Sequence, residues 1–425
     1  MENNSAYNSS IISKLGKVDI LIIGAGINGL STAYNLQKQN SDLSILVVEK
    51  GLKNGEEKMS STKRNTGTGH SGAYYKPLTA RAILNNAGFT LLQDYCKEKS
   101  IPITKTGKTI IGFNTKQDYL TLQKYKNNVI QNGRPPKCVS YCDSTNQILD
   151  REPLLSPKVT QALFLEEPYT FLADQVLNAL EDDVVRMGGK VLHGFEVRSV
   201  KSEGNDRVWV VEGNEGLSFR TRFICNNAAS GMYDIARMMG GAKDWYTTPV
   251  IGVYKEIQNN TPYQIKSSVY QISSNPNMPF LGPHAMESDG KIHFGPTAIS
   301  AFGMRDYFGG IPKMKHLKEG WKAHFTTAEL WKFYLRNVES IPTMVSRHFL
   351  APVFAKACQR MINPELFKID PSKLVNWKIG SRTQKLENGK ISQEFQLEGH
   401  NFPNSNQLGA ISNTNPGIIF FLSFP

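Results

Sequence analysis

The sequence predicts a mixed α/β protein in which a parallel-sheet domain, assembled from separated pieces, is interleaved with a β-rich domain. Three observations carry this expectation. A strand, a glycine turn, a helix and a second strand follow one another between Asp19 and Lys50. Two β-rich lines, "KVLHGFEVRSVKS" and "RVWVVEGNEGLSFRTRFICNNAAS", end in a small-residue turn at Asn227–Ser230 that suggests a return to the first sheet. From Trp245 to Pro296 the pattern is β-rich again. The 425 residues are enough for two or three domain-sized units with sizeable cores.

The first element is the most informative. In "DILIIGAGINGLSTAYNLQKQNSDLSILVVEK" the apolar run Ile20–Ile23 enters Gly24, Gly26 and Gly29. A helical pattern then passes through Tyr34 and Leu36, and the strand Ser44–Val48 ends at Glu49. This is the Rossmann-like arrangement that binds a dinucleotide. Gly24 permits the tight turn, Gly26 lets the backbone approach a pyrophosphate, and Gly29 lets the helix pack on the strand. The helix N-terminus offers free N–H groups and partial positive charge to phosphates. Glu49 is placed to accept hydrogen bonds from a ribose and argues against a 2′-phosphate. The glycines alone do not choose between FAD and NAD.

Further along, Ile83, Leu84, Ala87, Leu91 and Leu92 predict a helix over about 79–99. "TGKTIIGFN" reads as a strand, followed by a polar, Pro-containing stretch to about Pro157. A second helix is expected over 173–187, basic aromatic helices over 313–358, and β structure then loop over 375–425. The expected division is a disordered leader (1–17), dinucleotide-binding pieces (18–84, 166–235, 375–425) and substrate-domain pieces (85–165, 236–374).

Composition narrows the class. Hydrophobic content of 40% and charged content of 20% suit a globular protein, and no apolar run reaches membrane-spanning length. The N-terminus has no apolar core of signal-peptide length, so a cytoplasmic protein is expected. Cys96, Cys138, Cys142, Cys225 and Cys358 read as reduced structural thiols, because no second pair completes a metal site around Cys138 and Cys142. No metal is expected. The net charge of +12 favours an anionic membrane surface or acidic substrates. Neither zinc-finger spacing nor an aromatic RNA-binding signature is present, and nucleic acid is not expected.

The stretch "RNTGTGHSGAYYKP" crowds small residues around His70. Together with "ICNNAASGMYDIARMMG", "MPFLGPHAMESDGKIHFGPTAISAF" and "KIGSRTQKLENGKISQEF", it resembles the FAD-dependent 2-hydroxyacid dehydrogenases of the D-amino-acid-oxidase-like flavoprotein superfamily. The L-2-hydroxyglutarate dehydrogenases are the nearest pattern and the malate:quinone oxidoreductases the second. The resemblance runs from about Val18 through nearly all of the chain. It implies FAD as cofactor and oxidation of a small 2-hydroxy dicarboxylic acid, with an external electron acceptor, quinone being the expected one.

The resemblance also implies roles for particular residues. The His70 segment would pass the isoalloxazine, with Gly67 and Gly69 admitting the ring. His70 is then the base for the carbinol proton, a hydrogen-bonded core histidine or a flavin-tuning group. Arg382, in "GSRTQ", would clamp the substrate carboxylate through paired charge-assisted bonds. Tyr74, Tyr75, Lys76 and Arg81 are candidates for the second carboxylate. Thr66, Gly67, Val197, Asn227, Ala228 and Gly417 join the glycine turn and Glu49 as FAD-binding candidates. His293, where the family pattern is apolar, is expected to be a half-buried strand histidine.

Two departures from the pattern are plain. Ser230 stands where glycine is usual, and "GAISNTNPGIIFFLSFP" replaces the usual flavin loop, ending where a last helix would begin. Weakened FAD binding or an impaired, non-catalytic relative is therefore an alternative, as is an amino-acid oxidase of the same superfamily. Lysines interleaved with Trp321, Phe325, Trp331, Phe333 and Tyr334 suggest peripheral contact with the inner face of a membrane.

Overall fold

The computed structural model describes residues 16–52, 61–203, 207–243, 245–258, 262–273, 275, 282–288, 290–300, 327–392, 394–403 and 405–414. Residues 1–15 of the leader, Trp321, Phe325 and Gly417 lie outside them, whereas Lys17, assigned to the leader, opens the first strand. In chain order, the elements that position the site are β1 (Lys17–Ile23), α1 (Ile27–Gln39), β2 (Ile45–Glu49), α2 (Ala80–Glu98), β3 (Lys108–Gly112), α3 (Lys116–Gln131), β4 (Gln161–Leu165), α4 (Ala173–Arg186) and β5 (Lys190–His193). They continue with β6 (Ser218–Asn226), β7 (Tyr246–Gln258), β8 (Ser268–Gln271), β9 (His284–Ser288), β10 (Lys291–Ser300), α5 (Ile341–Phe349), α6 (Ala351–Gln359), β11 (Val375–Glu387) and β12 (Leu408–Thr414).

Among the described residues, an eight-stranded sheet has β1 at its centre, paired in parallel with β2 and β6. Its central strands are apolar on both faces, as a sheet covered on both sides requires. Ile22, Ile45, Val47 and Val191 pack under α1, α2 and α4, while Leu21, Ile23, Leu46, Val48 and Leu192 face a second core with Trp209 and Phe219. The outer edge of β6 is shared: its first half pairs antiparallel with Val208–Glu212, and its last residues pair in parallel with β12. The predicted return of the chain to the first sheet is therefore found. The strands β1, β2, β6 and β12 end along one edge, the crevice where such sheets bind ligands.

A nine-stranded sheet contains, as consecutive neighbours, β11, β7, β10, β9, β8, β3 and β4. The core containing Val269, Ala285, Phe294 and Phe354 lies between it and α6. The expectation for 375–425 divides here. Strand β11 pairs with β7 in the nine-stranded sheet, whereas β12 joins the parallel one.

Two local expectations change. Helix α2 has the expected length, capped by Thr79, but Ile83 and Leu91 are exposed. The buried stripe is instead Ala82, Asn85, Phe89, Leu92 and Cys96. Asn85 turns that face inward because its amide is used inside the protein, as described below. Helix α3 occupies a stretch read only as polar; it buries little beyond Leu122, Asn128 and Val129, which explains its weak apolar signal.

Candidate active site

The glycine turn comes first. Gly24 has φ +103°, and a Cβ there would lie 2.6 Å from the Asn227 carbonyl oxygen. A Cβ on Gly29 would lie 1.8 Å from the Gly24 carbonyl oxygen, so helix and turn touch backbone to backbone. The Glu49 carboxylate accepts hydrogen bonds from the Ala25 N–H at 2.9 Å and the Gly51 N–H at 2.8 Å. No acidic residue occupies the first turn of α1, whose Gly26 N-cap has no side chain; Thr62 accepts from the Ile27 N–H at 3.1 Å. Asn227 donates its N–H to Ile23, and its buried Oδ1 meets no protein donor. Ala228 follows, its N–H reaching Asn226 Oδ1 at 3.4 Å. Val197 packs on the core behind the turn, in the segment whose Phe195 N–H bonds the Glu49 carbonyl. The helix end, the acid and the orphaned amide oxygen fit the ADP half of a dinucleotide.

The segment 61–76 runs from this turn to the nine-stranded sheet. Arg64 donates to the Ile379 carbonyl at 3.1 Å, and Lys378 donates to the Asn65 carbonyl at 2.8 Å. Its small residues meet protein at close range. A Cβ on Gly67 would lie 2.1 Å from the Phe171 carbonyl oxygen, and one on Gly69 would enter the Tyr169 ring at 2.6 Å. The glycines admit the strand Tyr169–Phe171, which pairs with Thr68–Gly69. Thr66 bonds Thr68 through their hydroxyls at 3.2 Å.

Residues 70–75 are then held by three amides. Asn85 donates to the His70 carbonyl at 3.2 Å, and Asn128 to Ala73 at 2.9 Å. Asn132 donates to Gly72 at 3.1 Å and Tyr75 at 3.0 Å. This fixes His70 against a residue absent from the expected set, Lys108. The Lys108 Nζ lies 2.9 Å from His70 Nδ1, 3.8 Å from the centre of the Tyr270 ring and 5.1 Å from that of Tyr74. Lys108 is 2% exposed, and burial pulls its ammonium down to about 7. Burial, then the Lys108 charge, hold His70 well below the usual imidazole range.

Behind Lys108, the Tyr270 and His284 rings lie tilted against each other with centres 3.7 Å apart, and His284 Nδ1 shares a 3.2 Å hydrogen bond with the Tyr254 hydroxyl. Tyr254 sits on β7, two strands from His284, and leans over the intervening β10. It can do so because Gly295, paired with His284, has no side chain: a Cβ there would lie 2.8 Å from the Tyr254 ring.

Arg382 lies on β11, on the same side as Gly380, where a Cβ would meet only open space. Its side chain is open to solvent on that face; the protein crowded around it and the neighbouring Arg81 charge push the guanidinium down to about 10, and Tyr75 opposes them. Arg81, in the first turn of α2, lies 4.5 Å over the Tyr75 ring. Tyr74 packs edge-on against Tyr125 at 5.0 Å. The structure thus brings His70, Tyr74, Tyr75, Arg81 and Arg382 together. Lys76 is exposed, and its charge is not among those that shift His70, Tyr74 or Arg382. His293 is more buried than expected, stacked 3.7 Å from Trp377 with Nε2 near the Ser288 carbonyl.

The sequence reading missed Lys108, Tyr254, Tyr270 and His284. A lysine opening the apolar run "KTIIGF" was an available signal for the first. The other three come from separate strands and had no local one.

Residues 19–369 match the family described as DAO, FAD dependent oxidoreductase. The chain belongs to that family. It is an FAD-dependent oxidoreductase, and the turn described above is consistent with that cofactor. The chain is 29% identical over 305 residues to the mitochondrial L-2-hydroxyglutarate dehydrogenase of Homo sapiens, covering 68% of this chain and 62% of the human one. It is 29% identical over 387 residues to L-2-hydroxyglutarate dehydrogenase of Indibacter alkaliphilus, covering 88% and 90%. Among solved structures, FAD-bound L-α-glycerophosphate oxidase of Mycoplasma pneumoniae matches with a TM-score of 0.70 at 18% identity, covering 96% and 92%. That likeness is one of fold.

The electrostatics of the pocket have a measurable consequence. His70 and His284 are both held below the usual 6.5, first by burial. As pH falls below 6.5 the unfolded chain takes up protons there that the folded chain resists, so stability falls. We expect the Tm of the FAD-loaded protein to drop between about pH 7.5 and about pH 5.5, and His284→Phe to flatten that slope. An equally steep slope in His284→Phe contradicts a neutral His284.

Proposed function

We propose that this protein oxidises the carbinol of a small 2-hydroxy dicarboxylic acid to the 2-oxo acid, with L-2-hydroxyglutarate the preferred substrate and malate the shorter alternative. The supporting observation is the meeting of Arg81 and Arg382 beside His70, with no carboxylate of the described residues among the charges that act on His70, Lys108 or Arg382. Two cations held together repel, and Arg81 also sits at the positive end of a helix. A dianion relieves both. The names of the human and Indibacter relatives support the same substrate.

In this reading Gly24, Gly26, Gly29 and Glu49 hold the ADP half of FAD, with Val197, Asn227 and Ala228 lining it and Thr66 and Gly67 beyond. When bound, FAD supplies the acceptor for the carbinol hydride. Arg382 clamps the carboxylate beside the carbinol through two parallel bonds. Arg81, steadied on Tyr75, takes the distal carboxylate, and Tyr74 closes the pocket. His70 accepts the hydroxyl proton; its depressed basicity keeps it unprotonated and ready near neutral pH.

The electron acceptor is external, and we place it at a quinone met at an anionic membrane surface. No helix among the described residues is long and apolar enough to cross a membrane. Trp331, Leu335, Val338, Phe349 and Leu350 are nonetheless exposed around α5 and the helix Ala328–Arg336, with Lys332 and Arg336 among them. Apolar side chains beside cations suit peripheral contact.

Arg382→Met should raise the KM for L-2-hydroxyglutarate about 10²-fold, equivalent to roughly 3 kcal/mol. Wild type should prefer L-2-hydroxyglutarate to L-2-hydroxypentanoate, and Arg81→Met should erase that preference. If Arg81→Met weakens both substrates equally, the dicarboxylate reading fails. Separately, the protein should sediment with anionic vesicles at low salt and release at high salt; remaining in the supernatant at low salt contradicts membrane contact.

A further inference from the structure

Lys108 presents a problem that the proposed reaction does not by itself explain. A buried ammonium is unfavourable unless paired, and no carboxylate among the described residues shifts this one. Aromatic faces compensate in part: Tyr270 and Tyr74 present their rings to it. Yet its nearest polar atom is His70 Nδ1, at 2.9 Å, and that contact has chemical consequences.

We propose that Lys108 is the positioning residue that decides which nitrogen of His70 receives the substrate proton, and the group to which the ring passes its other proton. The inference rests on the base role assigned to His70. An ammonium has donors only. When charged, Lys108 donates to Nδ1, so the ring proton sits on Nε2, which then has no lone pair to offer. When neutral, the Lys108 amine accepts the Nδ1–H, and Nε2 is left bare. Because Lys108 occupies Nδ1, Nε2 is the nitrogen available to substrate.

The protons balance. The carbinol O–H breaks as Nε2–H forms, and Nδ1–H passes to the Lys108 amine, which becomes an ammonium. With FAD bound, the flavin would take the C–H electron pair as hydride, and the carbinol would become a carbonyl. The Nε2 proton then leaves to solvent once the product has gone, and the Lys108 ammonium returns its proton to Nδ1, which restores the starting pair.

The surroundings agree with this assignment. Around Lys108 stand His70 and Tyr74 of segment 61–76, Tyr270 of β8 and His284 of β9, with Tyr125 of α3 behind Tyr74 and the Arg81 charge reaching His70. None of these is an acid; Glu152 and Glu166, with Arg151 and Lys266, line a cavity that Lys108 also lines, but none of them is among the groups that shift it. Burial makes the lysine lose its proton at about 7, well below its ordinary 10.5, and the pair becomes competent as pH rises through that point.

The test uses FAD-loaded protein labelled with ¹⁵N-histidine and needs no substrate. His70 is assigned by the signals lost in His70→Asn. In wild type, the ring should switch from Nε2–H to Nδ1–H as pH rises through about 7. Lys108→Met should abolish that switch, with Lys108→Gln as the second neutral variant if Lys108→Met does not retain FAD. In turnover, wild-type kcat should rise through the same pH, and neither neutral variant should show that limb. Lys108→Arg, which keeps its proton, should lower kcat about 10²-fold with KM little changed.

The same tautomer switch in the neutral variant, or wild-type kcat in Lys108→Arg, overturns the proposal. The spectrum does not depend on which acid is oxidised. A wrong substrate assignment therefore leaves the switch in place, and a wrong Lys108 assignment removes it.

Discussion

Three asparagine amides, from Asn85, Asn128 and Asn132, reach across from two helices to hold the carbonyls of residues 70–75. That segment bridges the two sheets, and its backbone has no regular strand or helix to satisfy it. Removing one amide would leave a carbonyl without its partner, at a cost of about 1–3 kcal/mol where it is buried. These bonds bring His70 to Lys108 on one side and Tyr75 to Arg81 on the other. The pocket depends on them more than on any of the residues that line it.

The second constraint is charge. The Lys108 and Arg81 charges both act on His70, and the Arg81 charge also acts on Arg382; burial lowers the basicity of Lys108, and the surrounding protein with Arg81 lowers that of Arg382. Such a collection opposes folding and favours anions. It is the usual signature of a binding site, where unfavourable electrostatics in the free protein become favourable with ligand. A protein whose only need was a stable fold would gain from an acid here. Among the described residues no carboxylate is among the groups that shift His70, Lys108 or Arg382, which is why an acidic substrate is proposed.

How much of this was legible in the sequence depends on how local each signal was. The dinucleotide turn is contained in about thirty residues, and Gly24, Gly29 and Glu49 are close-packed or hydrogen-bonded as their spacing implied. His70 stood out for the small residues around it, although those glycines admit Tyr169 and Phe171. The buried face of α2 was misread because the asparagine at position 85 looks like a solvent residue until its partner, a carbonyl fifteen residues earlier, is known. Tyr254, Tyr270 and His284 meet only through strand pairing, as does β11 with the nine-stranded sheet. Pairings between distant strands leave little trace in the local pattern of either one.

The central claim is that the flavin of this protein is reduced by a 2-hydroxy dicarboxylic acid. An anaerobic absorbance titration of the FAD-loaded protein with L-2-hydroxyglutarate, then L-malate, tests it most directly. Bleaching of the oxidised flavin bands by L-2-hydroxyglutarate, at lower concentration than by malate, is the predicted result. FAD that stays bound and fully oxidised with both acids would contradict the account.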